Sequence, residues 1–186
     1  EAGLHEPAVT YWYQAGHRAS ERSAYLEAIA HLRKGLEVLH RCPQTGAHAK
    51  QELTLHLTLG PALTATQGYA SPEVERAYTQ ARDLGQHVGE RPEQFRALQG
   101  LWNCYFVRAQ HQTARTLGEQ LLALAQQTQD SGHFLGAYRA LGSTLYFLGE
   151  FASAHEHLEH GLALYDRQQH HALALHYGAD PGVVCL

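Results

Sequence analysis

The chain has 186 residues, which is enough for one domain with a sizeable hydrophobic core. Its formal net charge is −4, and its 17% charged and 44% hydrophobic residues are typical of a folded chain and argue against intrinsic disorder. Only two lysines and no basic run are present, so electrostatic nucleic-acid binding is disfavoured. No apolar stretch approaches the roughly 20 residues of a membrane-spanning helix, so no membrane partner is expected.

The cysteines and the lack of methionine indicate the parent protein and the cellular compartment of the chain. No methionine and no stretch typical of a signal peptide occur, so we expect a piece of a longer, cytoplasmic protein. The three cysteines, Cys42, Cys104 and Cys185, are an odd number without a CxxC pair. This pattern is typical of structural thiols in a reducing compartment.

The first predicted helix pair carries small residues at helical spacing. The pattern W-x-x-A-G-x-x-A covers 12–19, and the pattern A-x-x-x-L-x-x-G covers 28–35. Gly or Ala at these positions lets two helices approach closely, while the large residues fill the grooves beside the contact. A large residue, a small residue, a short turn and then A-x-x-x-large is the tetratricopeptide pattern.

The second predicted pair is longer than the first. Gly60 and the partner-helix Ala77 are 17 residues apart, whereas Gly16 and Ala28 are 12 apart. The extra residues fall at 66–70, which contains a glycine and predicts a turn.

Prolines and a tryptophan mark the middle of the chain. Ser71 is predicted to cap a helix whose first residue is Pro72. Pro61 lies inside the preceding predicted helix and is expected to kink it. The third predicted pair spans 92–127, with Trp102 in the position that glycine holds in the first and fourth pairs.

The fourth predicted pair repeats the first. The pattern Y-x-x-L-G-x-x-L covers 138–145, and A-x-x-x-L-x-x-G covers 154–161. Gly142 and Ala154 are 12 residues apart, the same separation as in the first pair. This agreement between distant segments is the strongest indication of a repeat.

These patterns predict an all-α fold, a right-handed α-solenoid of tetratricopeptide-like helix pairs. No segment shows a strand-like alternation long enough to compete. Asp180 and Pro181 are predicted to cap and start another helix, so we expect a further repeat to follow. The predicted organisation is a single repeat domain over 1–186, with repeats at approximately 5–42, 45–89, 91–128 and 131–167 and a linker and the start of a further repeat at 168–186.

No motif for catalysis or cofactor binding is present. The phosphate-binding pattern GxxxxGK[ST], the dinucleotide pattern GxGxxG and the nucleophile pattern GxSxG are all absent. We therefore expect neither catalysis nor a cofactor in this chain.

One predicted helix is rich in histidine. His155, His157 and His160 share it, but the residue four after His155 is Glu159, and no third ligand is evident. We expect a solvated outer face with His155–Glu159 and Glu156–His160 as i,i+4 pairs and without a bound metal.

Two further groups of residues are expected to have structural roles. His170-His171 is expected to lie in a polar, solvated linker. Trp12, Trp102, Phe151 and Leu158 lie at helical spacing and are expected in the core.

The best candidate for binding is the groove lined by the first helix of each pair. A mixture of arginine, amide and aromatic side chains there suits recognition of a protein or peptide. The candidate groove residues are Tyr13, His17, Arg96, Gln99, Asn103, Phe106, Arg139, Ser143, Tyr146 and Phe147.

Several segments are more specific than the repeat frame. They resemble the C-terminal tetratricopeptide-like region of bacterial signalling proteins that join a class III nucleotidyl cyclase domain to a P-loop ATPase module. No catalytic residue is carried over, because the cyclase and ATPase motifs of that family lie outside this chain. The segments are YW at 11–12 with AG at 15–16 and RAS at 18–20, GYASPEV at 68–74, GEQLL at 118–122, LGEF at 148–151 and YGADPGVVCL at 177–186.

The resemblance implies a regulatory segment that binds a partner protein or peptide, or other domains of the parent chain. A small-molecule or peptide sensor with its ligand in the groove is the alternative. A third possibility is a metal-binding module that uses the histidine-rich helix.

Overall fold

The computed structural model describes residues 5–41, 46–170 and 181–185, and within these ranges it is helical and has no strand. The all-α prediction is therefore confirmed. The helices are α1 His5–Glu21, α2 Tyr25–Leu39, α3 Gly46–Gln67, α4 Pro72–Val88, α5 Arg91–Val107, α6 His111–Thr128, α7 Ser131–Phe147, α8 Phe151–Leu164, α9 Arg167–His170 and α10 Pro181–Val184.

The chain divides into two compact units, Glu1–Gly100 and Leu101–Leu186, and the division falls within α5. In the first unit α1 packs on α2, α2 on α3 and α3 on α4. In the second unit α6 packs on α7, α7 packs on α8 and α10 lies against α7. Consecutive helices thus pack pairwise, as in a helical repeat. The single repeat domain and its repeat boundaries stay predictions.

Polar side chains define where α4 and α7 begin. The hydroxyl of Ser71 accepts a hydrogen bond from the backbone N–H of Glu73 at 3.2 Å, and α4 starts at Pro72 as predicted. The carboxylate of Asp130 accepts from the backbone N–H of His133 at 2.8 Å. Each cap satisfies a donor that the first helical turn leaves without a partner.

A close helix approach at a glycine has the same form in the two units. A Cβ atom added to Gly16 would lie 2.6 Å from Cγ of Leu32 and 3.3 Å from the carbonyl oxygen of Ala28. A Cβ atom added to Gly142 would lie 2.5 Å from Cγ of Leu158. It would lie 3.2 Å from the carbonyl oxygen of the residue four positions before Leu158. Only glycine fits such a contact without displacing its neighbour. The predicted close approach at Gly142 is confirmed.

The core of the first unit contains a large ring between glycines. The buried Tyr78 ring on α4 lies against Gly60 of α3 and Gly100 of α5, and a Cβ atom at Gly60 would be 2.5 Å from the ring's Cζ. A neighbouring apolar cluster joins α3, α4 and α5. Its buried members are Leu53, Leu57, Ala81 and Ala97.

The core of the second unit is organised around Trp102. This side chain is 1% exposed, which confirms the core prediction. Its Nε1–H donates to the hydroxyl of Thr144 at 3.0 Å, and that hydroxyl donates to the carbonyl of Ala140 at 2.7 Å. The guanidinium of Arg139 lies 4.8 Å from the indole ring in a cation–π arrangement. The Phe106 ring stacks on the indole with a centroid distance of 4.7 Å.

Two burial predictions are wrong. Phe151 is 62% exposed because it is the first residue of α8, and its ring lies 5.5 Å from that of Tyr146. His170 is buried because both ring nitrogens have partners in the fold. Its Nδ1 accepts from the backbone N–H of Asp166 at 2.9 Å, and its Nε2 lies 3.2 Å from the hydroxyl of Ser131.

Two prolines occupy different positions in their helices: Pro61 lies inside α3, and Pro181 starts α10. The helix α3 continues through Pro61 to Gln67, and the predicted kink stays a prediction. The helix α10 starts at Pro181 as predicted. The predicted cap, Asp180, lies outside the described residues.

The side chains of Cys104 and Cys185 are buried. Cys42 and His171 fall outside the described residues. Among the residues that are described, no helix is long and apolar enough to cross a membrane.

Burial of His56 on α3 predicts acid sensitivity. Its side chain is 12% exposed, and this burial lowers its pKa, although the nearby carboxylate of Glu52 acts in the opposite direction. The unfolded chain, with a histidine pKa of about 6.5, therefore binds a proton more readily than the folded chain. Stability present above about pH 6.5 is expected to fall as the pH is lowered, until the folded state is protonated as well.

Replacement of this side chain tests the pH effect. We expect His56→Leu to lose less stability than the wild type between about pH 7 and about pH 5, measured by urea unfolding at several pH values. Burial also lowers the pKa of His133 and His157, so part of the slope is expected to remain. A slope identical to that of the wild type would contradict the assignment to His56.

Candidate functional site

Large aromatic side chains are exposed together in the second unit. Tyr146 and Phe147 are 58% and 60% exposed, and Phe151 is also exposed. The half-buried rings of Phe106 and His111 lie against this group. Phe106, Tyr146 and Phe147 are at the C-terminal ends of α5 and α7, while His111 and Phe151 begin α6 and α8. These five residues are called the aromatic surface below.

The five rings form a continuous chain of contacts. Phe147 is at its centre, with ring centroids 5.3 Å from Phe106, 5.2 Å from His111 and 5.6 Å from Tyr146. Tyr146 in turn contacts Phe151 at 5.5 Å. These separations fall in the 4.5–7 Å range of favourable aromatic pairs. The rings therefore support one another although most of them face solvent.

Two tight turns place the rings next to each other. Ala109 and Gly149 adopt positive φ angles of 57° and 80° after α5 and α7. Their backbone N–H groups donate to the carbonyl oxygens of Phe106 and Tyr146 at 3.0 Å and 3.1 Å. Each turn reverses the chain within three residues, so the end of one helix lies beside the start of the next. The buried indole of Trp102 then supports the surface from below through Phe106.

Charged side chains next to the aromatic surface form one hydrogen-bonded network. Arg115 donates to the carboxylate of Glu150 at 2.8 Å and to that of Glu119 at 3.1 Å. Glu150 directly precedes Phe151. The two carboxylates outnumber the one guanidinium, so this network leaves one excess negative charge beside the aromatic surface.

Such a surface is suited to binding rather than to chemistry. Exposed apolar residues are common singly, but contiguous apolar patches mark interaction sites. Full burial of one aromatic side chain contributes about 1.5–3 kcal/mol of hydrophobic free energy, which offsets part of the entropic cost of association. Tyrosine and other aromatic residues are enriched at the centres of protein interfaces.

The structure places the predicted groove residues in different environments. Phe106, Tyr146 and Phe147 belong to the aromatic surface. Gln99 and Arg139 are 4% and 5% exposed, so the expectation that they face an open groove is corrected. Arg139 is held in the core by its position over Trp102.

The other five predicted groove residues lie outside the aromatic surface. The rings of Tyr13 and His17 contact each other at 5.9 Å in the first unit. Arg96 is exposed on α5. Asn103 and Ser143 are half-buried.

The histidine-rich helix α8 forms ordinary surface contacts. His155 lies 3.4 Å from the carboxylate of Glu159, which confirms that predicted pair. The rings of His157 and His160 lie 5.9 Å and 5.3 Å from Tyr138. Over the ranges that the structure describes, no group of three His, Cys, Asp or Glu side chains is arranged to hold a metal ion.

Comparison with known proteins finds similarity to a much longer protein. The chain is 26% identical over 187 aligned positions to an uncharacterised protein of Rhizobium meliloti (strain 1021). The alignment covers 99% of this chain and 18% of that protein, so the chain spans about a fifth of the length of the curated relative that it matches. No protein-family model matches the chain.

Proposed function

We propose that the chain is a non-catalytic protein-interaction and regulatory repeat segment of a larger cytoplasmic signalling protein. The aromatic surface is the observation that carries this proposal. It exposes several connected rings whose burial would stabilise a complex, and it contains no pair of groups suited to acid–base or nucleophilic catalysis. The partner is a protein or peptide, or another domain of the parent chain.

The proposed architecture is a right-handed α-solenoid of tetratricopeptide-like pairs. The matching contacts of Gly16 and Gly142 with their partner helices support this repeat. Close contacts at small residues of this spacing are typical of tetratricopeptide pairs.

The proposed parent is an ATPase–nucleotidyl cyclase fusion. Support comes from the resemblance of the segments 68–74 and 177–186 to that group. The greater length of the Rhizobium relative, of which the chain matches 18%, is consistent with such a parent. In this protein the repeat segment would sense a partner or hold the enzyme domains in one arrangement.

Solvent labelling tests whether the aromatic surface is covered in the parent. We expect hydroxyl-radical footprinting to label Tyr146, Phe147 and Phe151 strongly in the isolated chain and several-fold less in the full-length protein with its partner present. Tyr11 and Leu26, which are also exposed, serve as the matched control and should be labelled equally in both samples. Equal labelling of the aromatic surface in both samples would contradict the proposal.

A further inference from the structure

A separate cavity lies in the first unit, between α2, α3 and α4. Its volume is about 200 Å³. The floor is apolar and is formed by Leu59, Leu63 and Ala77, all of which are buried. Arg33, Glu73 and Arg76 line the polar part of the wall.

The segment that lengthens the second helix pair fixes one side of this cavity. Gln67 donates to one carboxylate oxygen of Glu73 at 2.6 Å, and Arg33 donates to the other at 2.7 Å. The hydroxyl of Ser71 donates to the side-chain oxygen of Gln67 at 2.6 Å. These contacts hold the pKa of Glu73 below its ordinary value, the bond from Gln67 having the largest effect. The charges of Glu73 and Arg33 are therefore matched to each other.

Arg76 supplies the remaining charge of the cavity wall. It follows Glu73 by three residues on α4, which places both side chains on the same side of the helix. Within the described part of the chain its guanidinium has no hydrogen bond or ion pair, and it acts on Glu73 only at longer range. The neighbouring His56 is neutral at pH 7, because burial lowers its pKa. The wall thus has an excess of one positive charge beside an apolar floor.

The size of the cavity limits the ligand. A volume of 200 Å³ corresponds to about seven water molecules at about 30 Å³ each, and is below the range of about 300–1,000 Å³ for sites that bind drug-sized molecules. We propose that the cavity binds a small aliphatic monocarboxylate, with its hydrocarbon chain against Leu59 and Leu63 and its carboxylate on Arg76. This site is independent of the aromatic surface.

Titration of the full chain with three probes tests this site. Hexanoate has about the right size and charge, while hexylammonium and hexan-1-ol have the same hydrocarbon chain with a positive charge or none. We expect hexanoate to shift backbone amide signals of α2, α3 and α4 in proton–nitrogen NMR spectra and to saturate in the millimolar range. Hexylammonium should cause no such shifts, and hexan-1-ol should bind more weakly than hexanoate.

Variants locate the binding site. Arg76→Gln should weaken hexanoate binding by about tenfold, because it removes a charged hydrogen-bond donor. Gln80→Trp, which places a large ring at the cavity wall, should also weaken it. Both residues are exposed, so folding should be retained. Arg82→Gln is the matched control, because Arg82 is on the same helix but pairs with Asp83.

Three results would overturn the proposal. The first is the absence of saturable shifts with hexanoate. The second is equal binding of hexanoate and hexylammonium. The third is wild-type affinity in both Arg76→Gln and Gln80→Trp. None of these results bears on the aromatic surface, so the two proposals can fail separately.

Discussion

Trp102→Ala is expected to destabilise the second unit by about 3–5 kcal/mol, the range typical of large buried aromatic residues. The substitution removes a side chain that is 1% exposed and leaves a cavity in the core. It also removes the cation–π contact of the buried Arg139 and the hydrogen bond to Thr144. Urea unfolding followed by circular dichroism would measure the change as a lower midpoint.

Two further variants separate the contributions to this effect. Trp102→Phe retains a ring above Arg139 but loses the donor to Thr144, and should cost about 1–2 kcal/mol. Tyr11→Ala removes an aromatic side chain that is 63% exposed and should cost less than about 0.5 kcal/mol. If Trp102→Ala were as mild as Tyr11→Ala, the core described around Trp102 would be wrong.

Gly142→Leu should destabilise the α7–α8 pair by about 1–3 kcal/mol through overpacking. Even a Cβ atom at this position would be 2.5 Å from Cγ of Leu158. Gly16→Leu should have a similar effect in the first unit, because its contacts with Leu32 are nearly the same. Ala154→Leu should also be destabilising, since Ala154 is buried on the facing helix. Urea midpoints provide the measurement.

The control for these substitutions is Ala163→Leu on the exposed face of α8. Alanine and leucine have similar helix propensities, so the midpoint should change little. If Gly142→Leu and Gly16→Leu unfolded at the wild-type midpoint, the repeat frame would be incorrect.

The helical fold could be predicted because close helix contacts restrict residue type. The 12-residue separation between Gly142 and Ala154, and between Gly16 and Ala28, reflects a contact that excludes larger residues. Helix capping also depends on adjacent residues, so Ser71 could be identified as the N-cap of α4 from the proline that follows it. The division of the chain into two units within α5 depends on long-range packing and has no such local pattern.

The candidate site was only partly predictable, for a related reason. Phe106, Tyr146 and Phe147 could be selected from the repeat frame, but Arg139 could not be recognised as buried. In the core it lies over Trp102, which is distant in sequence and occupies a position that is glycine in the first and fourth pairs.

Two members of the aromatic surface were not predicted as binding residues. His111 and Phe151 are the first residues of α6 and α8, and tight turns bring them beside the ends of α5 and α7. The run YFLGEF at 146–151, with three aromatic residues around a glycine turn, is the sequence feature that could have indicated this surface.

The central claim is that the aromatic surface mediates a regulatory interaction. Its most direct test is the rate of ATP hydrolysis and of cyclic nucleotide formation by the proposed ATPase–nucleotidyl cyclase parent carrying Tyr146→Ser with Phe147→Ser. Loss of two interface anchors is expected to cost about 2 kcal/mol or more of interaction free energy, so at least one rate should change while the helical content stays the same. The matched control, Tyr11→Ser with Leu26→Ser, should leave both rates at their wild-type values. Wild-type rates in both double variants would contradict the claim.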